Sequence, residues 1–359
     1  MIARLLQSGK RVGITAVSHA VIANLLSAVL EADSQAQIAH KGDKKQVTNS
    51  QCDRLSNKDD VVDAIGSHKA VGATAFTWAA PELTQQLDYL FIDEAGQMSL
   101  AMALTAARAA RNVVLLGDPQ QLEQPQRAAH PEGSDIAALA HLIGDRQTIR
   151  DEQGLFLDTT YRMHPHICEL TSSQYYDGRL HAEPKLVRQT ITGPTISKTQ
   201  LTFHPVKHTG NQARSEEEAS AIQSLIHGLL AQPHQWTDIN GEQHQIEPHD
   251  ILVIAPYNAQ VALLTRLLPD GVRVGTVDRF QGQQAPVVFY SMTSSSIEDA
   301  PRGMGFLFSP NRLNVATSRA RCAVFVVASP TLINADCKTP EQIQWANGLC
   351  RFVEMAKDG

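Results

Sequence analysis

Short runs of mostly apolar residues recur along this chain, and segments with helical periodicity separate them. A strand that is apolar at successive positions is buried on both faces, as in parallel sheets that helices cover on either side. Two groups of such runs predict an α/β protein with two doubly wound lobes, residues 1–157 and 158–359. The predicted strands are residues 12–16, 70–75, 87–92, 113–116, 155–157, 201–203, 251–255, 272–275, 287–290 and 323–328.

Three helices can be placed from the residues at which they begin. Ser18 precedes apolar residues at helical spacing, so its side chain is predicted to cap a helix. Ser215 and Glu218 match a capping box, in which each side chain bonds the backbone N–H of the other residue. Asn258 is predicted to cap a third helix, which Pro269 ends.

Composition excludes several classes of protein. The longest apolar runs have the length of strands and fall short of the roughly 18 residues of a membrane span, and no signal peptide is recognisable, so a cytoplasmic protein is expected. Five cysteines at wide spacings form no C-x-x-C pair, which argues against structural zinc or disulfides. The net charge of −6 argues against a passive coat on nucleic acid but allows a motor that holds its strand in a local channel.

Two segments carry recognisable chemistry. Residues 90–95 read Leu-Phe-Ile-Asp-Glu-Ala, so a buried strand ends in two carboxylates. Asp93 there can hold Mg²⁺ through water while Glu94 orients an attacking water, although a solvated strand end is an equal alternative. Residues 113–122 form a second strand that runs into Gly-Asp-Pro-Gln-Gln-Leu. A glutamine there can bond a terminal phosphate, and an ordinary Asp-Pro turn is the alternative.

Together these segments resemble motifs II and III of the superfamily 1 helicases, in the branch that contains the nonsense-mediated-decay helicase. Further motifs of that family are matched, in the family's order, by residues 13–19 (Ia), 160–165 (IV), 275–284 (V) and 314–321 (VI). The greatest similarity is to bacterial proteins that fuse a RecB-like nuclease to such a helicase, and the nuclease is not in this chain. The resemblance implies two RecA-like P-loop NTPase lobes and ATP-driven translocation, 5′-to-3′, along single-stranded or tailed nucleic acid, with DNA expected rather than RNA.

The resemblance also implies roles for residues around ATP. Asp93 is expected to hold Mg²⁺, Glu94 to polarise the hydrolytic water and Gln121 to sense the γ-phosphate. Arg162 and Arg319 are expected to approach that phosphate from the second lobe, because the planar guanidinium neutralises charge spread over several oxygens.

Other positions of the motifs are expected to bind the nucleotide or the nucleic acid. Tyr161 is expected to stack on adenine, and Gly282 and Gln284 belong to the nucleotide-binding part of motif V. Gln284 departs from the Glu that relatives usually carry, so it can donate a hydrogen bond but supplies no charge. The residues expected on the nucleic-acid strand are Thr15, Ser18, His19, Thr276 and Arg279, the first three of them at a helix N-terminus.

The phosphate-binding loop G-x-x-x-x-G-K-[ST] of this family has no match in the chain. Ser8-Gly9-Lys10 is a false match, since Arg11 follows it, and Gly9 is predicted to end a helix. The chain is therefore expected to begin just after the loop, with a gap in the first sheet, a marginally stable first lobe and no ATPase activity of its own. Two alternatives follow: a non-catalytic nucleic-acid-binding fragment, or an interaction module whose partner supplies the missing strand.

Overall fold

A computed structural model of the protein describes residues 1–47, 49–67, 69–122, 136–194, 200–280 and 283–358. The chain divides into two units, Met1–Arg146 (unit 1) and Gln147–Gly359 (unit 2). The sequence pattern places the boundary after residue 157, at the end of a predicted strand. That strand is wrong: Leu155 and Leu157 are 82% and 76% exposed, and the described segment 155–157 pairs with no neighbour. Three residues are too few for periodicity to separate a strand from a loop.

Unit 1 is built on one parallel sheet with the order β3-β2-β4-β1-β5-β6. Its strands are β1 (Val12–Thr15), β2 (Ile38–Lys41), β3 (Cys52–Leu55), β4 (Ala70–Gly72), β5 (Leu87–Ile92) and β6 (Ala110–Leu115). Its helices are α1 (Ile2–Gln7), α2 (His19–Ala32), α3 (Lys58–Gly66), α4 (Ala75–Trp78), α5 (Leu100–Ala107) and α6 (Ala138–Ile143), with a 3-10 turn at Pro81–Leu83. Gly9 follows α1 with φ of 72°, as the sequence predicts for a residue that ends a helix.

The sequence predicts a gap in this sheet, and for the described strands that prediction is wrong. β1 pairs in parallel with β4 on one side and with β5 on the other, so its backbone groups are satisfied along both edges. β6 forms an edge of the described sheet, and its residues 111–113 are exposed. The core beneath β1 contains Ile14, Ile22 and Leu26, each at most 1% exposed. Burial of this kind is the main favourable contribution to folding of such a layer.

Unit 2 contains a second parallel sheet, with the order β10-β16-β15-β13-β14, and two small sheets beside it. Its strands are β7 (Thr159–Thr160), β8 (His181–Ala182), β9 (Ile191–Thr192), β10 (Leu201–Pro205), β11 (Gln235–Thr237), β12 (Gln243–Gln245), β13 (Ile251–Ile254), β14 (Arg273–Gly275), β15 (Ala285–Ser291) and β16 (Ala320–Ala328). Its helices are α7 (Pro165–Tyr175), α8 (Glu216–Ala231), α9 (Asn258–Leu267), α10 (Met304–Leu307), α11 (Pro310–Thr317) and α12 (Pro340–Asp358). Short 3-10 turns lie at Pro184–Arg188, Pro248–Asp250, Asp278–Phe280 and Pro330–Asn334.

The predicted helix starts are confirmed in part. Ser18 Oγ accepts a hydrogen bond from Val21 N at 3.3 Å at the start of α2. Ser215 Oγ accepts from Glu218 N at 3.1 Å, but the reciprocal half of the predicted capping box is wrong, because Ser215 N donates instead to another side chain, Gln260 Oε1. Asn258 is the first residue of α9 rather than its cap.

The side chain of Glu218 takes no part in that cap, because it belongs to a buried polar network in unit 2. Its Oε1 lies 3.0 Å from Nε2 of His208, and its Oε2 accepts from Ser291 Oγ at 2.6 Å and from Thr293 N at 2.8 Å. Neither Glu218 nor the His208 side chain is exposed. The network fixes the chain just after β15, where Thr293 has the unusual φ of 70°. Among the described helices, none is both long and apolar enough to cross a bilayer.

Candidate ATP and nucleic-acid sites

The Asp-Glu pair lies at the carboxyl end of β5, as the sequence predicts. Asp93 N donates to Thr15 O at 2.8 Å, which continues the β1–β5 pairing beyond the strand. Glu94 follows with a φ of 52°, a conformation that non-glycine residues adopt only at a cost. Gln97 Nε2 donates to Glu94 Oε2 at 2.9 Å. The turn therefore holds Glu94 in a left-handed conformation, and a neighbouring amide orients its carboxylate.

Asp93 suits a divalent cation. Burial raises the pKa of its carboxyl, against a smaller lowering by the hydrogen bond from Glu94 N to Asp93 Oδ1. A half-buried carboxylate gains more from an adjacent cation than an exposed one, since water competes less for its charge. Mg²⁺ is commonly held by one or two carboxylates with water and substrate phosphates completing its shell. Asp93 is therefore a suitable single protein ligand for Mg²⁺.

The second segment is joined to the first through its backbone. Ala95 N donates to Leu116 O at 2.8 Å, so the turn after β5 and the turn after β6 are hydrogen-bonded to each other. Two glycines allow the two turns to approach each other this closely. A Cβ on Gly96 would overlap the Asp118 carbonyl oxygen, and a Cβ on Gly117, whose φ is 153°, would lie 2.8 Å from Ala95 N. The two turns form a single packed element, which we call the double turn (residues 93–97 and 116–121).

Gln121 is held within the double turn. Its Nε2 donates to Asp118 Oδ2 at 3.0 Å, and Asp118 Oδ1 accepts from Gln120 N at 2.9 Å. Asp118 thus positions the glutamine that the sequence predicts to meet a terminal phosphate. Asp118 is not among the residues predicted from the sequence, although it lies inside the motif and a carboxylate two or three positions before an amide is a common turn partner.

The edge at which β1 ends holds Thr15, Ser18 and His19. Thr15 is fully buried, and its Oγ1 has no hydrogen-bond partner among the described residues. Ser18 is exposed and caps α2, so its hydroxyl already accepts one backbone N–H of that helix. His19 Nδ1 lies 3.0 Å from His40 Nε2 at the end of β2. Nothing in the sequence predicts that His40 contacts His19, since only the order of the strands in the sheet brings β2 near this edge.

The pair of histidines is kept neutral by its surroundings. Burial, together with a smaller effect of the neighbouring His19, lowers the pKa of His40 to about 4. Burial also lowers the pKa of His19, although the nearby Asp43 carboxylate opposes that shift. Only one N–H is needed for the bond between the rings, so two neutral rings satisfy it.

This neutral pair makes the stability of unit 1 sensitive to acid. The unfolded chain binds a proton on His40 near pH 6.5, whereas the folded chain binds it only near pH 4. Stability is therefore fully present above pH 6.5 and is lost as the pH falls towards 4, by up to about 3 kcal/mol. Urea unfolding followed by the fluorescence of buried Trp78 checks this.

Two variants separate His40 from other acid-sensitive groups. In His40→Asn the loss between pH 6.5 and 4 is expected to shrink by most of that amount. In His141→Asn, an exposed position of unit 1, the pH profile is expected to stay unchanged. An equal pH dependence in His40→Asn and the unsubstituted chain would contradict the assignment.

In unit 2, the segments that carry the two predicted arginine fingers are joined. Arg162 Nη1 donates to Ser318 O at 3.3 Å, the residue before Arg319. Gln189 Nε2 donates to Arg162 O at 2.6 Å and also to Arg321 O at 3.3 Å. Arg319 itself is 2% exposed, and its Nη1 donates to Gln283 O at 3.4 Å. The two guanidinium groups therefore come from neighbouring stretches of backbone, and their roles towards phosphate stay predictions.

The remaining predicted residues of unit 2 occupy three places. Tyr161 is 70% exposed, so its ring is available for stacking. Thr276 and Arg279 follow β14, and Arg279 is exposed while its Nη1 donates to Val274 O at 3.2 Å. Gln284 is exposed just before β15. Gly282 lies outside the described residues.

Comparisons with known proteins give this arrangement a family. A family model described as an AAA domain matches residues 139–331, more than half of the chain, and a second model of the same description matches residues 14–124. DNA polymerase alpha-associated DNA helicase A of Schizosaccharomyces pombe is 29% identical over 297 residues, which are 76% of this chain and 42% of that protein. The DNA replication ATP-dependent helicase/nuclease DNA2 of Gallus gallus is 25% identical over 336 residues, 89% of this chain and 32% of that protein.

A further relative and a solved structure also match the chain. The regulator of nonsense transcripts 1 homologue of Arabidopsis thaliana is 26% identical over 68% of this chain and 19% of its own length. A DNA complex of the arterivirus helicase, nonstructural protein 10, matches with a TM-score of 0.47 and 14% identity, over 92% of this chain and 57% of its own. This chain thus spans less than half the length of these curated relatives. The chain belongs to the AAA domain family and corresponds to the motor region that its helicase relatives share.

Proposed function

We propose that this chain is the ATP-driven motor of a superfamily 1 helicase, which moves 5′-to-3′ along single-stranded nucleic acid, with DNA preferred to RNA. The double turn is the observation that carries the proposal. It gathers Asp93, Glu94 and Gln121 into one rigid element at the carboxyl edge of a parallel sheet. Ligands of doubly wound α/β proteins bind at that edge.

The residues of the double turn suit separate tasks in ATP hydrolysis. Mg²⁺, when bound, neutralises charge on the phosphates, and Asp93 is the carboxylate placed to hold it. Glu94, in its left-handed turn, orients the attacking water and accepts a proton from it. Gln121 bonds a phosphate oxygen through an amide that Asp118 has already oriented. Arg162 and Arg319 of unit 2 are assigned to supply positive charge to a phosphate.

The nucleic-acid strand is assigned to the residues that follow β1 and β14. The N-terminus of α2 at Ser18 offers backbone N–H groups to a phosphate, and Thr15 and His19 lie beside it. Thr276 and Arg279 offer a hydroxyl and an exposed cation in unit 2. Tyr161, Gly282 and Gln284 are assigned to the nucleotide. One relative is named a helicase/nuclease, which supports a nuclease domain elsewhere in the full-length protein.

A nucleic-acid-binding chain without ATP turnover is the second candidate. One observation favours it: the 359 residues contain no G-x-x-x-x-G-K-[ST] segment, whose backbone N–H groups and lysine cradle a triphosphate. An interaction module is favoured by the exposed residues 111–113 of edge strand β6. The binding chain would use the surface assigned to nucleic acid, and the interaction module would use a surface for a partner. Neither would need Glu94.

Binding of a fluorescein-labelled 15-mer of deoxythymidine, measured by anisotropy at rising salt, tests the proposal. Arg279→Ala is expected to weaken binding several-fold, whatever the sequence of the oligonucleotide. The slope of log affinity against log salt concentration is expected to fall by about 1, the effect of one lost phosphate contact. Arg266→Ala is the matched control, because Arg266 is exposed near the far end of α9, away from the carboxyl edge.

The remaining outcomes separate the candidates. Absence of binding to both DNA and RNA oligonucleotides would contradict the motor and the binding chain and leave the interaction module. DNA binding without ATP hydrolysis, even in a protein that also carries a phosphate-binding loop, would favour the binding chain. In that longer protein, displacement of streptavidin from a biotin at the 3′ end but not the 5′ end is the result expected of a 5′-to-3′ motor.

A further inference from the structure

Phe76 has an unusual position in unit 1. It lies on α4, directly after β4, and its side chain is 80% exposed. The other three residues of this four-residue helix, Ala75, Thr77 and Trp78, are all buried, at no more than 8% exposure. One aromatic ring is thus turned to solvent by a segment that is otherwise part of the core.

The short helix that carries Phe76 is anchored to the sheet. Trp78 Nε1 donates to both Ile14 O and Ala73 O, each at 3.1 Å, and Ala73 N donates to Ile14 O at 3.0 Å. The indole therefore ties α4 to the carboxyl ends of β1 and β4 together. Phe76 needs no folding event to be presented, so binding a partner there costs little conformational entropy.

The same strand ends carry the residues already assigned to nucleic acid. β1 and β4 are hydrogen-bonded neighbours with Ile14 opposite Gly72, so Thr15 and Ala73 leave the sheet side by side. The helix N-terminus at Ser18 and the Thr15 hydroxyl, which is buried and without a partner among the described residues, lie on the β1 side of this edge. Phe76 lies on the β4 side. Both groups thus lie at the carboxyl ends of two neighbouring strands, so this end of the sheet offers one group for a phosphate and one for a base.

A scattered exposed apolar residue is common and needs no explanation by itself. Leu104 on α5, 61% exposed, provides a comparison within the same unit, since α5 packs against α4. An apolar docking face for another protein would use both side chains. A nucleic-acid strand along the carboxyl edge would use the ring of Phe76 alone, because only a flat π-face stacks on a base.

We propose that Phe76 is the stacking platform for one base of a single strand bound along the carboxyl edge of unit 1. The proposal rests on the proposed function and adds to it a residue outside the helicase motifs. Stacking does not discriminate between the four bases, so this contact serves a motor that moves over any sequence.

The experiment compares the full chain with three variants, Phe76→Ala, Phe76→Trp and Leu104→Ala. Binding is measured by anisotropy with a deoxythymidine 15-mer and with a 15-mer of abasic sites. Phe76→Ala is expected to weaken binding of the thymidine oligonucleotide by about 5- to 100-fold and to leave binding of the abasic one unchanged. Phe76→Trp is expected to retain binding, and Leu104→Ala is expected to behave as the unsubstituted chain. Thermal unfolding of Phe76→Ala should stay close to that of the unsubstituted chain, since little buried surface is removed.

Other results would overturn the inference. An equal loss of affinity for both oligonucleotides would mean that Phe76 does not stack on a base. An equal loss in Leu104→Ala would indicate an apolar docking face. Normal thymidine binding by Phe76→Ala, while Arg279→Ala still weakens it, would reject the platform and leave the proposed function standing. Failure of the unsubstituted chain to bind either oligonucleotide would reject both.

Discussion

Replacing Glu94 by Gln in a protein that also supplies the phosphate-binding loop is expected to reduce nucleic-acid-stimulated ATP hydrolysis by about 10²- to 10⁴-fold. The amide has the size of the carboxylate and can still bond Gln97, so the left-handed turn at residue 94 should persist. It cannot accept a proton from the attacking water. Nucleotide binding is expected to be unchanged, because the phosphate and Mg²⁺ are assigned to other residues. Steady-state phosphate release and equilibrium binding of a fluorescent nucleotide measure the two effects.

Glu82→Gln provides the control for this substitution. It makes the same chemical change at an exposed residue that precedes β5, at the opposite edge of the sheet. Its turnover should equal that of the unsubstituted protein. Turnover of Glu94→Gln close to that level would exclude Glu94 as the group that orients the water.

The second large effect is expected on stability, from Glu218→Ala in unit 2. The substitution leaves His208, Ser291 Oγ and Thr293 N buried without the carboxylate that they bond. Removal of one member of such a buried set costs about 3–5 kcal/mol. Glu218→Gln, which keeps one acceptor oxygen, is expected to cost less. Urea unfolding followed by Trp236 and Trp345, both in unit 2, measures the change.

Glu216→Ala is the matched control on the same helix, because Glu216 is exposed and its ion pair with Arg214 lies on the surface. Surface pairs contribute at most about 1 kcal/mol. A loss in Glu218→Ala no larger than in Glu216→Ala would show that the network does not stabilise unit 2. It would leave the strained backbone at Thr293 without a structural reason.

The strands that could be predicted from the sequence are those whose apolar residues follow one another with little interruption. Strand β5 was located to the residue, and β1, β4, β13 and β15 to within a few residues, because their apolar runs are continuous. β2 and β3 could not be found in this way. Their sequences, Ile-Ala-His-Lys and Cys-Asp-Arg-Leu, carry polar residues that the sheet tolerates, since β3 is an edge strand with exposed Asp53 and Arg54. Tertiary context overrides local pattern at such positions.

The candidate sites divide in a similar way. Asp93 and Glu94 are adjacent in one strand-turn segment and Gln121 lies in a second, so the motif resemblance is enough to name all three as candidates. Gln97 and Asp118 orient site residues from three positions away, whereas two other partners come from remote parts of the chain. His40 reaches His19 only through the order of the sheet, and Gln189 joins two motif segments by bonding two carbonyls. Nothing in the neighbourhood of either residue in the sequence indicates such a contact.

The double turn has a consequence for how this chain can vary. Gly96 lacks a side chain because the Asp118 carbonyl occupies its space, and Gly117 lacks one because the backbone at residues 95 and 96 does. The backbone of each turn thus fills the space that a side chain on the glycine of the other turn would need. An exchange of one turn for that of a relative succeeds only if the second turn is exchanged with it. The two short segments, which α5 and β6 separate in the sequence, are therefore expected to change together.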